Sequence, residues 1–144
     1  MTLLFPYCSN ELGSGRGAYS SAASYAGGSG GGLVKIKAGT LQVDGSILAD
    51  GESRTNPYGW LMAGGSGGGI RIEVGTLSGG ITGTISAAGG ASTYGGAGGG
   101  GRIAIYSTDK TGFNGTASSN GGLSGDGSAP SRNGGAAPVY FQIM

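Results

Sequence analysis

A glycine-rich hexapeptide occurs twice in the chain, each time directly before a segment in which apolar and polar residues alternate. This repeated pattern restricts the folds that the chain can adopt. The string Gly-Gly-Ser-Gly-Gly-Gly spans residues 27–32 and again residues 64–69. The segments that follow, 33–41 and 70–77, alternate apolar and polar residues and end in Gly-Thr-Leu. Such alternation is the period of a β-strand with one buried face. A degenerate third copy begins at residues 98–101, and a fourth starts at Gly134 and runs to Met144.

Each of the first three copies also contains a second, shorter alternating segment, at residues 45–49, 83–87 and 115–119. The copies are separated by about 36 and then about 32 residues, a period typical of stacked repeats. One repeat therefore comprises a long strand, a tight glycine turn, a short strand and a glycine-rich return. We predict an N-terminal strand, cap or intersubunit arm at 1–16 and a repeat domain at 17–144, with repeats at about 18–53, 54–92, 93–125 and 126–144.

The alternation also assigns a buried face, because apolar residues of equivalent strands point the same way. The inward positions are Val34, Ile36, Ala38, Ile70, Ile72, Val74, Ile103 and Ile105 in the long strands, and Ile47, Ile85 and Ala117 in the short ones. The predicted fold is all-β, a short glycine-rich β-solenoid or layered β-sandwich of about 3.5 repeats with almost no helix. The glycine tracts have two interpretations, bundled polyglycine-II-like strands or exposed loops, since glycine alone permits such close backbone approach.

Composition excludes several classes of chemistry. The 37 glycines among 144 residues would by themselves indicate disorder, but the net charge of +1 is too small to keep the chain extended. With no histidine, Ser-His-Asp and Cys-His catalysis and the usual transition-metal sites are excluded, and no cofactor is expected. Cys8 has no internal disulfide partner. Balanced charge predicts no nucleic-acid partner, and no membrane span or signal peptide is visible in this segment.

The pattern G-G-S-G-G-G-I-R-I-E-V-G-T-L, followed by G-T-I-S-A-A-G-G and then G-G-G-G-R-I-A-I-Y, carries a family resemblance. It resembles the glycine-rich repeats of large bacterial cell-surface and extracellular adhesin-type proteins, over residues 17–144. The resemblance implies a structural or adhesive role and an extracellular or cell-surface location.

Two sets of side chains are candidate ligand-binding residues. Lys35, Arg71 and Arg102 are predicted at equivalent outward positions, where a cationic ladder could bind an anionic glycan or a carboxylated partner. Aromatic residues that precede the glycine tracts could stack on sugar faces. These are Tyr19, Tyr25, Tyr58, Trp60 and Tyr94. The alternatives are that the cations only solvate the outer face and that the aromatics cover the glycine layer.

Three carboxylates, Asp44, Asp50 and Glu52, lie close together in the sequence. A carboxylate pair could hydrolyse a glycoside, and such a group could hold Ca²⁺. Asp50 precedes Gly51, however, and Asp-Gly is also ordinary turn chemistry. We assign no catalytic residue and no metal site, and keep the three only as candidates for Ca²⁺.

Both ends of the repeat domain carry apolar residues where a solenoid needs polar caps. They are Leu3, Leu4, Phe5 and Tyr7 near the N-terminus, and Val139, Phe141 and Ile143 near the C-terminus. We therefore expect a non-enzymatic structural or adhesive protein that assembles head-to-tail with itself into a fibre, or that adjoins further repeats of a longer surface array. The alternative is a carbohydrate-binding module for surface glycans, and a glycan hydrolase or lyase ranks last.

Overall fold

Seven β-strands make up the regular structure in a computed structural model, which describes residues 12–15, 26–55, 61–125 and 132–144. Each alternating segment of the sequence forms a strand. They are β1 (Leu33–Gln42), β2 (Ser46–Leu48), β3 (Gly69–Gly79), β4 (Thr84–Ser86), β5 (Arg102–Phe113), β6 (Thr116–Ser118) and β7 (Val139–Ile143). The prediction of an all-β chain with almost no helix is confirmed for these residues.

The strands form two parallel sheets. Each of the first three repeats contributes one long strand to the first sheet and one short strand to the second. The long strands lie in the order β1-β3-β5-β7, and the short strands in the order β2-β4-β6. Strands that follow each other along the chain therefore lie in different sheets. Within the described ranges neither sheet closes on itself, so β1 and β7 are edge strands of the first sheet there, and β2 and β6 of the second.

The apolar core lies where the inward rows of the two sheets meet. Rows of equivalent residues run across the long strands, as from Ile36 through Ile72 and Ile105 to Phe141. Ile72 and Ile105 are fully buried, whereas Ile36 is half-buried and Phe141 is 37% exposed. Burial therefore declines from the central strands towards both edges of the sheet.

Two residues of the long strands differ in burial from what their faces predict. Ala104 alternates with the inward Ile103 and Ile105 and so belongs to the outward face, yet it is buried. It lies between Arg71 and Tyr140 in the neighbouring strands, and their longer side chains screen it from water. Ala38 lies on the inward face, paired with the buried Val74, but is exposed, because among the described residues β1 has a neighbouring strand on only one side.

Successive glycine tracts are joined by backbone hydrogen bonds. We call residues 27–32, 64–69, 98–101 and 134–135 the first to fourth tracts. Gly31 N–H donates to the carbonyl of Ser66 at 2.8 Å, and Gly67 N–H donates to the carbonyl of Gly99 at 2.9 Å. A Cβ at Gly68 would lie 1.9 Å from the carbonyl oxygen of Gly32, so the backbones approach as closely as only glycine allows.

The tracts also bond to the returns between repeats, so the network extends in a second direction. Gly65 N–H donates to the carbonyl of Glu52 at 3.0 Å, while the carbonyl of Gly65 accepts from Gly90 N–H at 2.8 Å. Gly98 N–H in turn donates to the carbonyl of Gly90 at 2.9 Å. Of the two interpretations of the glycine tracts, the described residues fit a hydrogen-bonded layer and not an exposed loop.

The register of the strands, and not the alignment of the repeated hexapeptides, determines which residues of neighbouring tracts lie side by side. We call such residues level. Aligning the hexapeptides places Ser29 beside Ser66. The pairing of Leu33 with Gly69 instead brings Gly30 level with Ser66. The two tract serines therefore occupy different positions in the layer.

Candidate functional site

The outer face of the long-strand sheet carries a cluster of charged and aromatic side chains, which we call the outer-face cluster: Arg71, Glu73, Tyr106 and Tyr140. Arg71 Nε donates to Glu73 Oε1 at 2.6 Å, and a second guanidinium nitrogen lies 2.5 Å from the same oxygen. The guanidinium also lies over the Tyr106 ring, 5.3 Å from its centroid. Tyr106 and Tyr140 meet edge to face, with ring centroids 6.2 Å apart.

The charges of this cluster are mutually compensating. The hydrogen bond from Arg71, helped by the positive charges of Arg71, Lys37 and Lys35, holds the pKa of Glu73 below its ordinary value. Lys37 is level with Glu73 in the adjacent strand, as expected of a cross-strand pair. The face therefore offers fixed hydrogen-bonding groups beside two aromatic rings.

The predicted cationic ladder is wrong in its third member. Lys35 and Arg71 are level in adjacent strands, but Arg102 pairs with Gly69 and lies two residues away along β5. The reason is that the apolar rows set the register, with Ile70 level with Ile103, so that Ala104 takes the third position. Of the three predicted residues, Lys35 and Arg71 lie side by side, and Arg71 is bound to Glu73.

Most of the predicted aromatic row lies outside the described residues. That applies to Tyr19, Tyr25, Tyr58 and Trp60. Tyr94 is described, is half-buried, and accepts a hydrogen bond at its carbonyl oxygen from Arg132 at 3.1 Å. A sugar-binding role for this row stays a prediction.

The structure brings together an aromatic pair, Tyr106 and Tyr140, that was not among the candidate residues predicted from the sequence. Tyr106 and Tyr140 both occupy outward positions of long strands, one on β5 and one on β7. The signal that could have found them is the alternation itself, extended past Ala104 and applied to the fourth repeat.

The three carboxylates each accept hydrogen bonds within the repeat layers. Asp44 accepts from Gly80 N–H at 2.8 Å and from the Gln42 side chain at 2.5 Å. The bond from Gly80, followed by that from Gln42, lowers the pKa of Asp44 below its ordinary value. Asp50 accepts from the Ser86 hydroxyl and from Ala88 N–H, each at 2.6 Å. Asp44 and Asp50 thus tie one repeat to the next.

Glu52 has a similar structural use. It accepts from Ser29 N–H at 2.9 Å and pairs with Arg54 at 2.9 Å. The backbone bond from Ser29 is the main cause that lowers the pKa of Glu52. Among the described residues, no group of three or more Asp, Glu, Cys or His side chains is placed to hold a metal ion, so Asp44, Asp50 and Glu52 do not form one site.

The C-terminal edge of the stack is apolar and only partly covered. Val139 is half-buried, Phe141 is 37% exposed and Ile143 is 71% exposed. Lys110 Nζ lies 4.3 Å from the centroid of the Phe141 ring. The predicted N-terminal assembly residues, Leu3, Leu4, Phe5 and Tyr7, lie outside the described residues.

A groove of about 230 Å³ runs beside residues 12–15. Its lining is mainly glycine backbone of the second and third tracts, with Ser14, Ser66 and Arg102 at its borders. The backbone is thus the main recognition surface that the groove offers.

Comparison of the chain with protein-family models, with curated proteins and with solved structures finds no match. Over the described parts of the chain, no helix has the length and apolar character needed to cross a membrane. Any function assigned to the chain therefore rests on its own geometry.

Proposed function

We propose that the protein is a non-enzymatic structural and adhesive element of the cell surface or extracellular space. It is a short β-solenoid backed by a polyglycine-II-like layer, and further rungs extend it at its ends. The observation that carries this proposal is the decline in burial from the central strands to the edges. Ile72 and Ile105 are fully buried, while their row partners Ile36 and Phe141 are not.

The edge strands support the same proposal. A strand at the edge of a sheet presents unpaired backbone groups and is a ready template for another strand. Parallel sheets are normally buried, and β7 carries Phe141 and Ile143 on the face that is buried in the central strands. A further parallel strand beside β7 would cover both residues and satisfy the open backbone groups.

A second copy of the chain can supply that strand. If β7 of one copy pairs in parallel with β1 of the next, the apolar rows continue from Val139 to Val34 and from Phe141 to Ile36. Such a head-to-tail contact does not close on itself and produces a fibre. Neighbouring repeats of a longer chain would cover the same edges by the same chemistry.

Negative-stain microscopy and light scattering over a range of protein concentrations distinguish these two arrangements. We expect filaments from the unmodified chain, and loss of filaments in the double variant Phe141→Lys and Gln142→Pro. The matched control is Ile81→Lys, which removes an exposed apolar residue, 84% accessible, from a turn of the central repeat. A chain that stays monomeric at every concentration would contradict self-assembly and leave the longer array as the source of the covering strands.

A second candidate function, binding of surface glycans, is favoured by the outer-face cluster. Aromatic rings beside fixed polar groups suit the apolar and hydroxyl-bearing faces of a sugar. Calorimetric titration with neutral and acidic oligosaccharides tests this, using Tyr140→Ala against the control Leu123→Ala, at an exposed residue outside the cluster. Saturable binding that Tyr140→Ala weakens and Leu123→Ala leaves intact would support it. No heat from any of the oligosaccharides would contradict it.

A further inference from the structure

Among the described residues, one extended segment lies against the surface of the glycine layer. Residues 12–15 lie against the first and second tracts, where Gly13 N–H donates to the carbonyl of Gly31 at 2.8 Å and the carbonyl of Ser14 accepts from Ser66 N–H at 3.2 Å. The Ser66 hydroxyl donates to the same carbonyl at 3.0 Å. We call this position, defined by one tract carbonyl and one N–H of the following tract, the first notch.

The strand register repeats the notch along the layer. The β1–β3 and β3–β5 pairings bring Gly67 level with Gly31 and Gly99 level with Ser66. The carbonyl of Gly67 and the N–H of Gly99 therefore define a second notch. Neither group has a hydrogen-bond partner in the part of the chain that the structure describes.

A third notch follows by the same register. Gly100 is level with Gly67, and Gly135 is level with Gly99 across the β5–β7 pairing. The carbonyl of Gly100 and the N–H of Gly135 define this notch. Both groups are without a hydrogen-bond partner among the described residues.

One residue position decides whether a notch is open to a strand. In the first notch it is Gly30, where a Cβ would lie 2.0 Å from the carbonyl oxygen of Gly13. The equivalent residue of the second notch is Ser66, whose Cβ excludes a strand placed as residues 12–15 are. The equivalent residue of the third notch is Gly99, where a Cβ would meet, within the described parts of the chain, only the carbonyl oxygen of Gly135, at 3.7 Å. The third notch therefore has the same clear approach as the first.

The bound segment shows what chemistry the notch accepts. A Cβ at Gly13 would lie 2.4 Å from the carbonyl oxygen of Ser66 and 2.7 Å from both Gly31 N and the carbonyl oxygen of Gly67. An occupant must therefore have glycine at this position and an extended backbone around it. Recognition comes from main-chain groups, as in other cases of strand addition.

We propose that the third notch binds an extended Gly-Ser-type segment of another polypeptide chain. The glycine N–H of that segment donates to the carbonyl of Gly100, and the carbonyl of its next residue accepts from Gly135 N–H. The contact joins glycine-rich chains side by side. It is thus separate from the end-to-end extension proposed above and does not depend on it.

A titration of the ¹⁵N-labelled full chain, kept below the concentration at which filaments form and followed by nuclear magnetic resonance, tests the proposal. The probe is the peptide acetyl-Leu-Gly-Ser-Gly-amide, which has the sequence of residues 12–15. We expect a saturable downfield shift of the Gly135 amide proton, with a dissociation constant of about 1 mM or weaker, because few hydrogen bonds form. The same peptide with alanine in place of its first glycine should bind at least about tenfold more weakly, because its Cβ meets the tract backbone.

A pair of protein variants supplies the matched control. Gly99→Ala leaves only an ordinary contact within the fold, but its Cβ should abolish the shift of the Gly135 amide. Gly39→Ala makes the same change where a Cβ meets nothing within 4 Å, and it should leave binding unchanged. The proposal is overturned by the absence of any shift up to the solubility limit of the peptide, by equal binding of the alanine peptide, or by unchanged binding to a folded Gly99→Ala variant. If Gly99→Ala does not fold, the comparison of the two peptides on the unmodified chain decides.

Discussion

At the residue scale, the glycines divide into those whose missing side chain makes the layer possible and those that stand in open space. Gly68 belongs to the first group, since a Cβ there would lie 1.9 Å from the carbonyl oxygen of Gly32. Gly39 and Gly96 belong to the second, since a Cβ at either meets nothing within 4 Å. Composition alone cannot separate these groups, because the difference lies in which backbone passes opposite each residue.

Alanine substitution should therefore have opposite effects at two glycines. Gly68→Ala should lower the free energy of unfolding by about 3 kcal/mol or more, because the clash is with backbone and cannot be relieved by a side-chain rotation. Gly39→Ala should leave it unchanged or raise it by about 0.4–1 kcal/mol, by restricting the unfolded chain. Urea denaturation of the two variants beside the unmodified protein measures both. Equal losses at the two positions would contradict the packed-layer description.

The carboxylates predict how stability depends on pH. The pKa values of Asp44, Glu52, Glu73 and Asp109 are all lowered in the folded chain, and for Asp44, Glu52 and Asp109 the first cause is a hydrogen bond from a backbone N–H. A lowered folded-state pKa stabilises the fold above the ordinary carboxyl pKa, at about pH 4, and that stability is lost as pH falls through the folded-state value. The melting temperature should thus be steady near neutrality and fall below about pH 4.

A single variant tests the contribution of Asp44 to this dependence. Asp44→Asn removes the ionisable group, so the fall in melting temperature between neutrality and acid should be smaller than in the unmodified chain. Melting curves recorded over a pH series by circular dichroism give the comparison. An identical pH dependence in the two proteins would show that the ionisation of Asp44, which accepts from Gly80 N–H, adds no pH-dependent stability to the fold.

At the scale of the strand, apolar alternation predicted the elements well and their lateral alignment less well. The long strands begin within one residue of the predicted positions, but β5 continues to Phe113, well beyond Tyr106, where the alternation ends. The predicted position of Arg102 was wrong because it rested on aligning residues of like charge, whereas the register of the sheet aligns Ile70 with Ile103. The glycine tracts could not be assigned from sequence, since their contacts join backbone groups and leave no side-chain pattern.

The position of a strand in the sheet should set the cost of truncating its core residue. Ile72 is fully buried in β3, while Ile36 is half-buried in the edge strand β1 of the same row. Ile72→Ala should cost about 2–5 kcal/mol of unfolding free energy, and Ile36→Ala clearly less, because part of its surface is already in water. Chemical denaturation of the two variants gives the comparison. A larger loss for Ile36→Ala would mean that another strand covers β1 in solution.

At the scale of the whole molecule, each repeat is held by its neighbours, so protection against hydrogen exchange should follow position in the stack. Arrays of this kind have stability made up of repeat and interface contributions, and the terminal repeats have one interface fewer. Amides of β3 and β5 should exchange slowest in dilute protein, and those of β1 and β7 faster, because local opening begins where few apolar contacts hold the backbone.

End-to-end association would make this pattern of hydrogen-exchange rates depend on protein concentration. When β7 of one copy covers β1 of the next, both edge strands become interior, so their exchange should slow as protein concentration rises while that of β3 and β5 changes little. Hydrogen-exchange mass spectrometry of the unmodified chain and of the Phe141→Lys, Gln142→Pro variant, each at low and high concentration, separates the two cases. If exchange of the β1 amides slows at high concentration in the unmodified chain but not in the variant, the contact between copies lies at these edges. Edge strands that exchange at the same rate at every concentration would mean that copies of the chain do not stack through β1 and β7.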